Sequence, residues 1–204
     1  MIQHLLFDFG DVLYKIDQTK TLSLFKEYIG NQSFIPSLNL NDFLSVSFFK
    51  DFETGKINAE VFRDEVRKYF NIKISDTKFD KFWNATLIAP FVDSYDLLLS
   101  LKNKYTISLL SNTNEIHYNR FYPECKDFLS LFDHQFYSHK IGFMKPDTNA
   151  FHYVLNKLNT QAENVLFIDD LKRNTVAAKK LGINVFLFNY EKNRKELLNF
   201  LGIV

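Results

Sequence analysis

The sequence has little of several residue types, and each shortage excludes a class of protein. Only one of its 204 residues is cysteine, Cys125, so neither an intramolecular disulfide nor a thiolate metal cluster can form. No run of about 18 apolar residues occurs, and no basic segment precedes an apolar one at the start, so we expect neither a membrane helix nor an export signal. The 25 basic and 24 acidic residues nearly cancel, which leaves no net positive field for nucleic acid. These features favour a cytoplasmic protein that binds neither membranes nor nucleic acid.

Short apolar runs that end in polar residues recur along the chain. They lie at residues 5–7, 107–110, 135–137, 165–168 and 185–188. Continuous apolar runs of this length are typical of strands that are buried on both faces of a parallel sheet. Helical patterns at residues 94–104, 148–158 and 171–181 alternate with the later runs, so we predict an α/β fold with right-handed crossovers.

One long segment interrupts this alternation. From residue 17 to residue 91 the chain reads as several amphipathic helices. One of them, at residues 58–70, carries apolar side chains at Val61, Phe62, Val66, Tyr69 and Phe70. A crossover connection needs far fewer residues, so we interpret the segment as an insertion after the first strand. The predicted organisation is a core of residues 1–16 and 92–204 with a helical domain, residues 17–91, inserted into it.

The polar residues that follow the strands are candidates for the functional site, because functional groups in open α/β sheets gather at the carboxyl ends of the strands. These positions supply carboxylates, a hydroxyl and an ammonium, which suit a phosphate group beside a hard divalent cation. The candidates in chain order are Asp8, Gly10, Asp11, Ser111, Asn112, Lys145, Asp169 and Asp170.

Each group has a separate chemical task in this interpretation. A carboxylate that attacks a phosphate dianion is repelled by it unless a cation lies between them, and Mg²⁺ takes oxygen ligands. Asp8 and Asp170 are the predicted metal ligands, with Asp169 acting directly or through water. The phosphate oxygens are assigned to residues that donate hydrogen bonds or positive charge, namely Ser111, Asn112 and Lys145.

In this order the segments resemble the four motifs of the haloacid dehalogenase superfamily of phosphohydrolases, over nearly the whole chain. The motifs are similar to FDFGDVL at residues 7–13, LSNT at 110–113, KPD at 145–147 and FIDD at 167–170, with Asn174 following. The resemblance implies a Rossmann-like core, a Mg²⁺ cofactor, an aspartyl-phosphate intermediate on Asp8 and a helical cap between the first two motifs. It also implies a phosphatase for a small phosphate ester, similar to a branch that includes sugar-phosphate phosphatases.

The first motif departs from the family pattern at Gly10. Most phosphatases of the family have a second aspartate there, which transfers a proton to the leaving oxygen and gives its backbone carbonyl to the metal. The Gly10 carbonyl is kept, but the proton-transfer group is not, and such groups typically contribute about 10²–10⁴-fold. Asp11, one position later, and His117, whose imidazole ordinarily titrates near neutrality, are the candidate replacements.

Substrate selection is expected from the helical cap, because the core motifs grip only phosphate. Trp83 and Asn84 are the candidate specificity residues. Two alternatives remain open: a metal-independent 2-haloacid dehalogenase, which also lacks the second aspartate, and a catalytically weak regulatory protein that binds a phosphometabolite. The adjacent carboxylates of Asp169 and Asp170 argue against the first alternative, and the retained nucleophile Asp8 argues against the second.

Overall fold

The computed structural model describes residues 1–30 and 46–203, so the part of the predicted helical segment at residues 31–45 lies outside the described residues. The strands in these ranges are β1 (His4–Phe7), β2 (Tyr14–Ile16), β3 (Leu87–Pro90), β4 (Thr106–Ser111), β5 (His134–Tyr137), β6 (Val165–Asp169) and β7 (Asn184–Leu187). Five of them form a parallel sheet in the order β5-β4-β1-β6-β7. All five predicted strands are present in it.

The helices in the same ranges lie between and around these strands. They are α1 (Gln18–Gly30), α2 (Ser47–Glu53), α3 (Ala59–Phe70), α4 (Asp76–Trp83), α5 (Ser94–Leu101), α6 (Glu115–Leu129), α7 (Ser138–Ile141), α8 (Thr148–Leu158), α9 (Lys172–Lys180) and α10 (Arg194–Phe200). The helical patterns predicted between the strands correspond to α5, α8 and α9. The predicted α/β, Rossmann-like fold is therefore confirmed. No helix in the described parts of the chain is both long and apolar enough to cross a bilayer.

The central strands β1, β4 and β6 are buried on both faces of the sheet, which explains their mainly apolar sequences. Leu5 and Phe7 of β1 pack into one hydrophobic cluster, whereas Leu6 packs into a second cluster with Phe151 and Phe167. Successive side chains of a strand point to opposite faces, so each face receives its own apolar set.

The helices α1–α4 share a third hydrophobic cluster, which includes Phe52, Phe62, Val66 and Trp83. The strands β2 and β3 form a separate antiparallel pair at the two ends of this helical segment. We refer to α1–α4 as the helical cap. The boundaries of the cap at residues 17 and 91 stay predictions.

The apolar face predicted for residues 58–70 is partly wrong. Phe62 and Val66 of α3 are fully buried, but Val61 and Tyr69 are 44% and 59% exposed. Val61 lies about 100° around the helix from Phe62, so it points away from the cluster. Tyr69 lies in the last turn, where its ring contacts Phe48 at the edge of the cluster.

Candidate active site

Three neighbouring strands end at one edge of the sheet and bring the predicted side chains together. β1 lies between β4 and β6, and Phe7 is in register with Leu109 and Ile168. Asp8, Ser111 and Asp169 therefore leave adjacent strands at the same edge. One carboxylate oxygen from each of Asp8, Asp169 and Asp170 lies within 4.8 Å of the others. We call these three residues the carboxylate cluster.

Lys145 is the cation of this cluster. Its ammonium lies 2.6 Å from Oδ1 of Asp8 and 2.8 Å from Oδ2 of Asp169. The side chain is 1% exposed. Burial alone would lower the pKa of Lys145, but the two carboxylates raise it above its ordinary value. Lys145 is therefore protonated and holds a fixed positive charge beside Asp8.

The cluster carries more negative charge than one ammonium can balance. Burial raises the pKa of Asp8, against the effect of Lys145, and the carboxylates of Asp169 and Asp170 raise it further. Burial, Asp169 and Asp11 together raise the pKa of Asp170 to about 6. Carboxylates that repel one another in this way are stabilised in the ionised form by a bound cation.

Asp169 is already held by several donors. Oδ1 accepts a hydrogen bond from the backbone N–H of Leu171 at 2.8 Å, and Nδ2 of Asn174 lies 3.0 Å from both carboxylate oxygens. Lys145 completes this set at Oδ2. Asp8 and Asp170 are thus the cluster members best suited to bind a cation directly. A compact set of carboxylate oxygens fits the ligand preference of Mg²⁺.

The loop after β1 places Asp11 beside this cluster. Its backbone has a left-handed φ of 52°, and its Oδ1 accepts a hydrogen bond from the N–H of Ile16 at 3.1 Å. Burial raises the pKa of Asp11, and the charge of Asp11 in turn raises the pKa of Asp170. Gly10 forms a bridge to Tyr14, and a Cβ atom at Gly10 would lie 3.1 Å from Cδ1 of Ile16. The role of Asp11 in proton transfer stays a prediction.

The ring of His117 is hydrogen-bonded at the contact between the core and the helical cap. It is partly buried between the core and the helical cap, where Nε2 lies 3.1 Å from the carbonyl oxygen of Trp83 and Nδ1 lies 3.2 Å from Nδ2 of Asn114. The first contact requires hydrogen on Nε2 and the second requires a bare Nδ1, so the ring is neutral. Burial lowers the pKa of His117 to about 4. Both ring nitrogens of His117 are thus engaged at the contact between α6 and the helical cap, and its proton-transfer role stays a prediction.

Trp83 and Asn84 lie at the contact between the helical cap and α6. Trp83 is 3% exposed and packs in the cap cluster, with Nε1 3.3 Å from Oδ1 of Asn114. Asn84 lines a cavity of about 480 Å³ between α3, α4 and α6, and the lining of that cavity includes neither the carboxylate cluster nor Lys145. The Trp83 ring packs among the cap side chains and also stacks on the His117 ring of α6. The specificity roles of Trp83 and Asn84 stay predictions.

Asn114 is a residue that the sequence did not single out. Its side chain caps α6 by accepting a hydrogen bond from the N–H of His117 at 3.1 Å. Its Nδ2 also donates to Oε1 of Glu53 in the cap, at 2.6 Å, and both residues are buried. An asparagine before a helix is a recognisable capping signal. Its cap-domain partners could not be read from the sequence, because they are distant along the chain.

Residues 5–188 match the sequence model of the haloacid dehalogenase-like hydrolases. The chain belongs to this family. A D-ribitol-5-phosphate phosphatase from Bacteroides thetaiotaomicron is 26% identical to this haloacid dehalogenase-like hydrolase over 191 residues, which are 91% of each chain.

Solved structures of other family members agree with the fold in detail. A haloacid dehalogenase family enzyme from Bacteroides thetaiotaomicron, in complex with magnesium and inorganic phosphate, superimposes with a TM-score of 0.82 at 29% identity, covering 97% of this chain and 99% of that one. A HAD-like family hydrolase from Porphyromonas gingivalis gives a TM-score of 0.85 at 26% identity, with 98% of both chains covered. A 2-haloacid dehalogenase from Pseudomonas syringae, at 15% identity and a TM-score of 0.65, shares the fold alone; it covers 94% of this hydrolase and 88% of its own chain.

Proposed function

We propose that the protein is a Mg²⁺-dependent phosphatase that hydrolyses a small phosphate ester through an aspartyl-phosphate intermediate on Asp8. The observation that carries this proposal is the position of the Lys145 ammonium, 2.6 Å from Asp8 within a cluster that also contains Asp169 and Asp170. Asp8 is the member of the cluster that follows the central strand and shares Lys145 with Asp169. A nucleophilic carboxylate, a fixed cation and a second carboxylate for a metal are the groups that phosphoryl transfer from an ester requires.

In the first step, a carboxylate oxygen of Asp8 attacks phosphorus and the bond from phosphorus to the ester oxygen breaks. Lys145 and the hydroxyl of Ser111 hold the equatorial oxygens, so that the charge of the phosphoryl group is balanced during the transfer. The leaving oxygen takes a proton from Asp11, whose pKa burial raises above its ordinary value. The products are the free alcohol and the aspartyl phosphate.

In the second step, a water molecule attacks the phosphorus of the aspartyl phosphate. Asp11 now accepts the proton of that water, the acyl-phosphate bond breaks, and Asp8 returns to its carboxylate form. Asp8, Asp170 and the backbone carbonyl of Gly10 are the proposed Mg²⁺ ligands. A bound Mg²⁺ would supply charge that reduces the repulsion between the carboxylate and the phosphate dianion.

The proposed substrates are sugar or polyol phosphates. The relative of 26% identity is a D-ribitol-5-phosphate phosphatase, and the solved family member of 29% identity holds magnesium and inorganic phosphate. These names support phosphate-ester chemistry. A substrate with a poor leaving group, such as ribitol 5-phosphate, requires the proton from Asp11, whereas a sugar 1-phosphate requires it less.

A panel of phosphate esters tests the proposal. The purified protein with Mg²⁺ is assayed for phosphate release from ribitol 5-phosphate, glucose 1-phosphate, glucose 6-phosphate and p-nitrophenyl phosphate, beside an Asp8→Asn variant. We expect turnover of at least one polyol or sugar phosphate by the wild type and none by the variant. Equal rates for the two proteins across the panel would remove the proposed activity and favour the regulatory-protein alternative.

A further inference from the structure

Lys145 differs from the other groups of the site in how the fold supports it. Asp8 directly follows β1, and Ser111 and Asp169 are the last residues of β4 and β6. Lys145, by contrast, lies in the connection between α7 and α8, outside any helix or strand. Lysine also has a flexible four-carbon stem. Side chains on loops are held less precisely than those on strands, so the position of this ammonium needs a further support.

The side chain of Asn112 supplies such a support. Its Nδ2 donates a hydrogen bond to the carbonyl oxygen of Lys145 at 2.7 Å, and its Oδ1 accepts one from the N–H of Lys145 at 2.8 Å. One amide thus satisfies both backbone polar groups of Lys145, as a neighbouring strand would in a sheet. The loop is thereby attached to the first residue after β4.

The next residue attaches the other end of the same segment. The N–H of Thr113 donates to Oγ of Ser138 at 2.9 Å, and this hydroxyl donates to the carbonyl oxygen of Thr113 at 2.8 Å. Ser138 begins α7, and Lys145 ends the segment that follows it. Residues 138–145 are therefore fastened at both ends to the two residues that follow Ser111.

We infer that Asn112 is a positioning residue of the proposed reaction, which acts by fixing the backbone of Lys145 so that its ammonium lies between Asp8 and Asp169. This inference rests on the proposed phosphatase function. It differs from the sequence-based assignment, in which Asn112 binds the phosphate itself, because both polar groups of the Asn112 side chain are engaged by Lys145. Any contact of Asn112 with phosphate is then left to its backbone N–H and to the second hydrogen of Nδ2.

The matched variants are Asn112→Ala and Asn184→Ala. Asn184 also ties backbone groups of the core, since its Nδ2 donates to the carbonyl oxygens of Glu163 and Val165 at 2.8 and 3.2 Å, but it lies at the start of β7. A shift of about 1 Å in a catalytic group costs on the order of 10²-fold. We expect Asn112→Ala to lower kcat by about 10- to 100-fold and to weaken inhibition by inorganic phosphate, and Asn184→Ala to change neither. If Asn112→Ala does not fold, Asn112→Gln keeps the amide but misplaces it, and the same losses are expected.

A double-variant comparison separates positioning from direct contact. A residue that acts only through Lys145 has little effect once Lys145 is gone, because the effects of coupled residues are not additive. We therefore expect Asn112→Ala to lower the turnover of p-nitrophenyl phosphate strongly in the wild type and by less than about 2-fold in a Lys145→Ala background. The same fold-loss in both backgrounds would overturn the inference and assign Asn112 to the phosphate. Failure of the proposed function is seen separately, as wild-type turnover no greater than that of Asp8→Asn.

Discussion

The ammonium of Lys145 lies 2.6 Å from Oδ1 of Asp8, and both side chains are buried. A second contact, 2.8 Å from the ammonium to Oδ2 of Asp169, also holds the lysine. Asp8 therefore has a cationic partner before any substrate arrives. In the proposed reaction Asp8 becomes bonded to phosphorus, while Lys145 keeps its contact with Asp169. The ammonium is then available to the phosphoryl group.

Lys145→Met should abolish most of the activity while keeping the apolar stem. Removal of one preorganised charge commonly costs on the order of 10²–10³-fold in kcat, and we expect a loss in this range. The variant should also be less stable at pH 8, since the buried carboxylates of Asp8 and Asp169 lose their partner. Steady-state kinetics and thermal melting measure the two effects. Lys140→Met is the control, because Lys140 contacts the Tyr118 ring instead; loss of activity in both variants would contradict the account.

The buried carboxyl of Glu53, which contacts Asn114 between the cap and the core, should make the stability of the protein depend on pH. Burial raises the pKa of Glu53 from 4.5 to about 7, against the effect of the Asn114 amide. The folded state thus binds a proton more tightly than the unfolded state, so stability falls as the pH rises from about 4.5 through 7. Glu53→Gln keeps the acceptor for Asn114 and removes the charge.

The difference in the free energy of unfolding between wild type and Glu53→Gln should therefore grow with pH. Between pH 5 and pH 8, we expect the free energy of unfolding of the variant to rise by up to about 3 kcal/mol relative to that of the wild type. Urea unfolding at the two pH values measures it, with Glu60→Gln as an exposed control on the neighbouring helix. Parallel stability curves for wild type and Glu53→Gln would show that this carboxyl is not buried in the folded protein.

Asp11→Asn tests the source of the proton for the leaving group. Asparagine keeps an acceptor for the N–H of Ile16, so the loop should fold unchanged. We expect turnover of ribitol 5-phosphate to fall by about 10²-fold or more, and that of p-nitrophenyl phosphate to fall much less, because p-nitrophenolate leaves without a proton. Asp127→Asn is the control, since that carboxylate is exposed on α6 and is not among the charged groups that shift the pKa of Asp11. Equal losses on both substrates would exclude Asp11 as the acid.

Removal of the metal separates the phosphatase from the dehalogenase alternative. EDTA should abolish phosphate release, and added Mg²⁺ should restore it and raise the melting temperature. Because the pKa of Asp170 is raised to about 6, Mg²⁺ must displace a proton from this carboxyl at low pH. The increase in melting temperature on adding Mg²⁺ should therefore be larger at pH 7.5 than at pH 5.5. Asp170→Asn should weaken this response, and Asp147→Asn, an exposed helix cap, should not. Release of chloride from 2-chloropropionate in EDTA would instead favour the dehalogenase.

The fold and the grouping of the site followed from local features of the sequence. Apolar runs that end in Asp8, Ser111 and Asp169 locate strand ends, and parallel strands present those ends at one edge. The order of the motifs resembles one family, and the match of residues 5–188 to the sequence model of that family confirms the resemblance. These features are local, so the sequence alone is sufficient for them.

The contacts between the cap and the core did not follow from the sequence. The side chains of Glu53, Trp83 and His117 meet at Asn114, and each is distant from at least one of the others along the chain. A buried histidine and a reactive histidine look alike in a sequence, because burial is decided by tertiary packing. For the same reason the amide of Asn112 could not be assigned to the Lys145 backbone.

Detection of the covalent intermediate tests the central claim most directly. The protein is mixed with Mg²⁺ and excess substrate from the panel that it turns over, quenched within one turnover, treated with borohydride and analysed by peptide mass spectrometry. An aspartyl phosphate is reduced to homoserine, so we expect homoserine at position 8 and unmodified aspartate at positions 11, 169 and 170. Steady turnover with no modification at position 8 would contradict the account, because Asp8 would then not be the nucleophile.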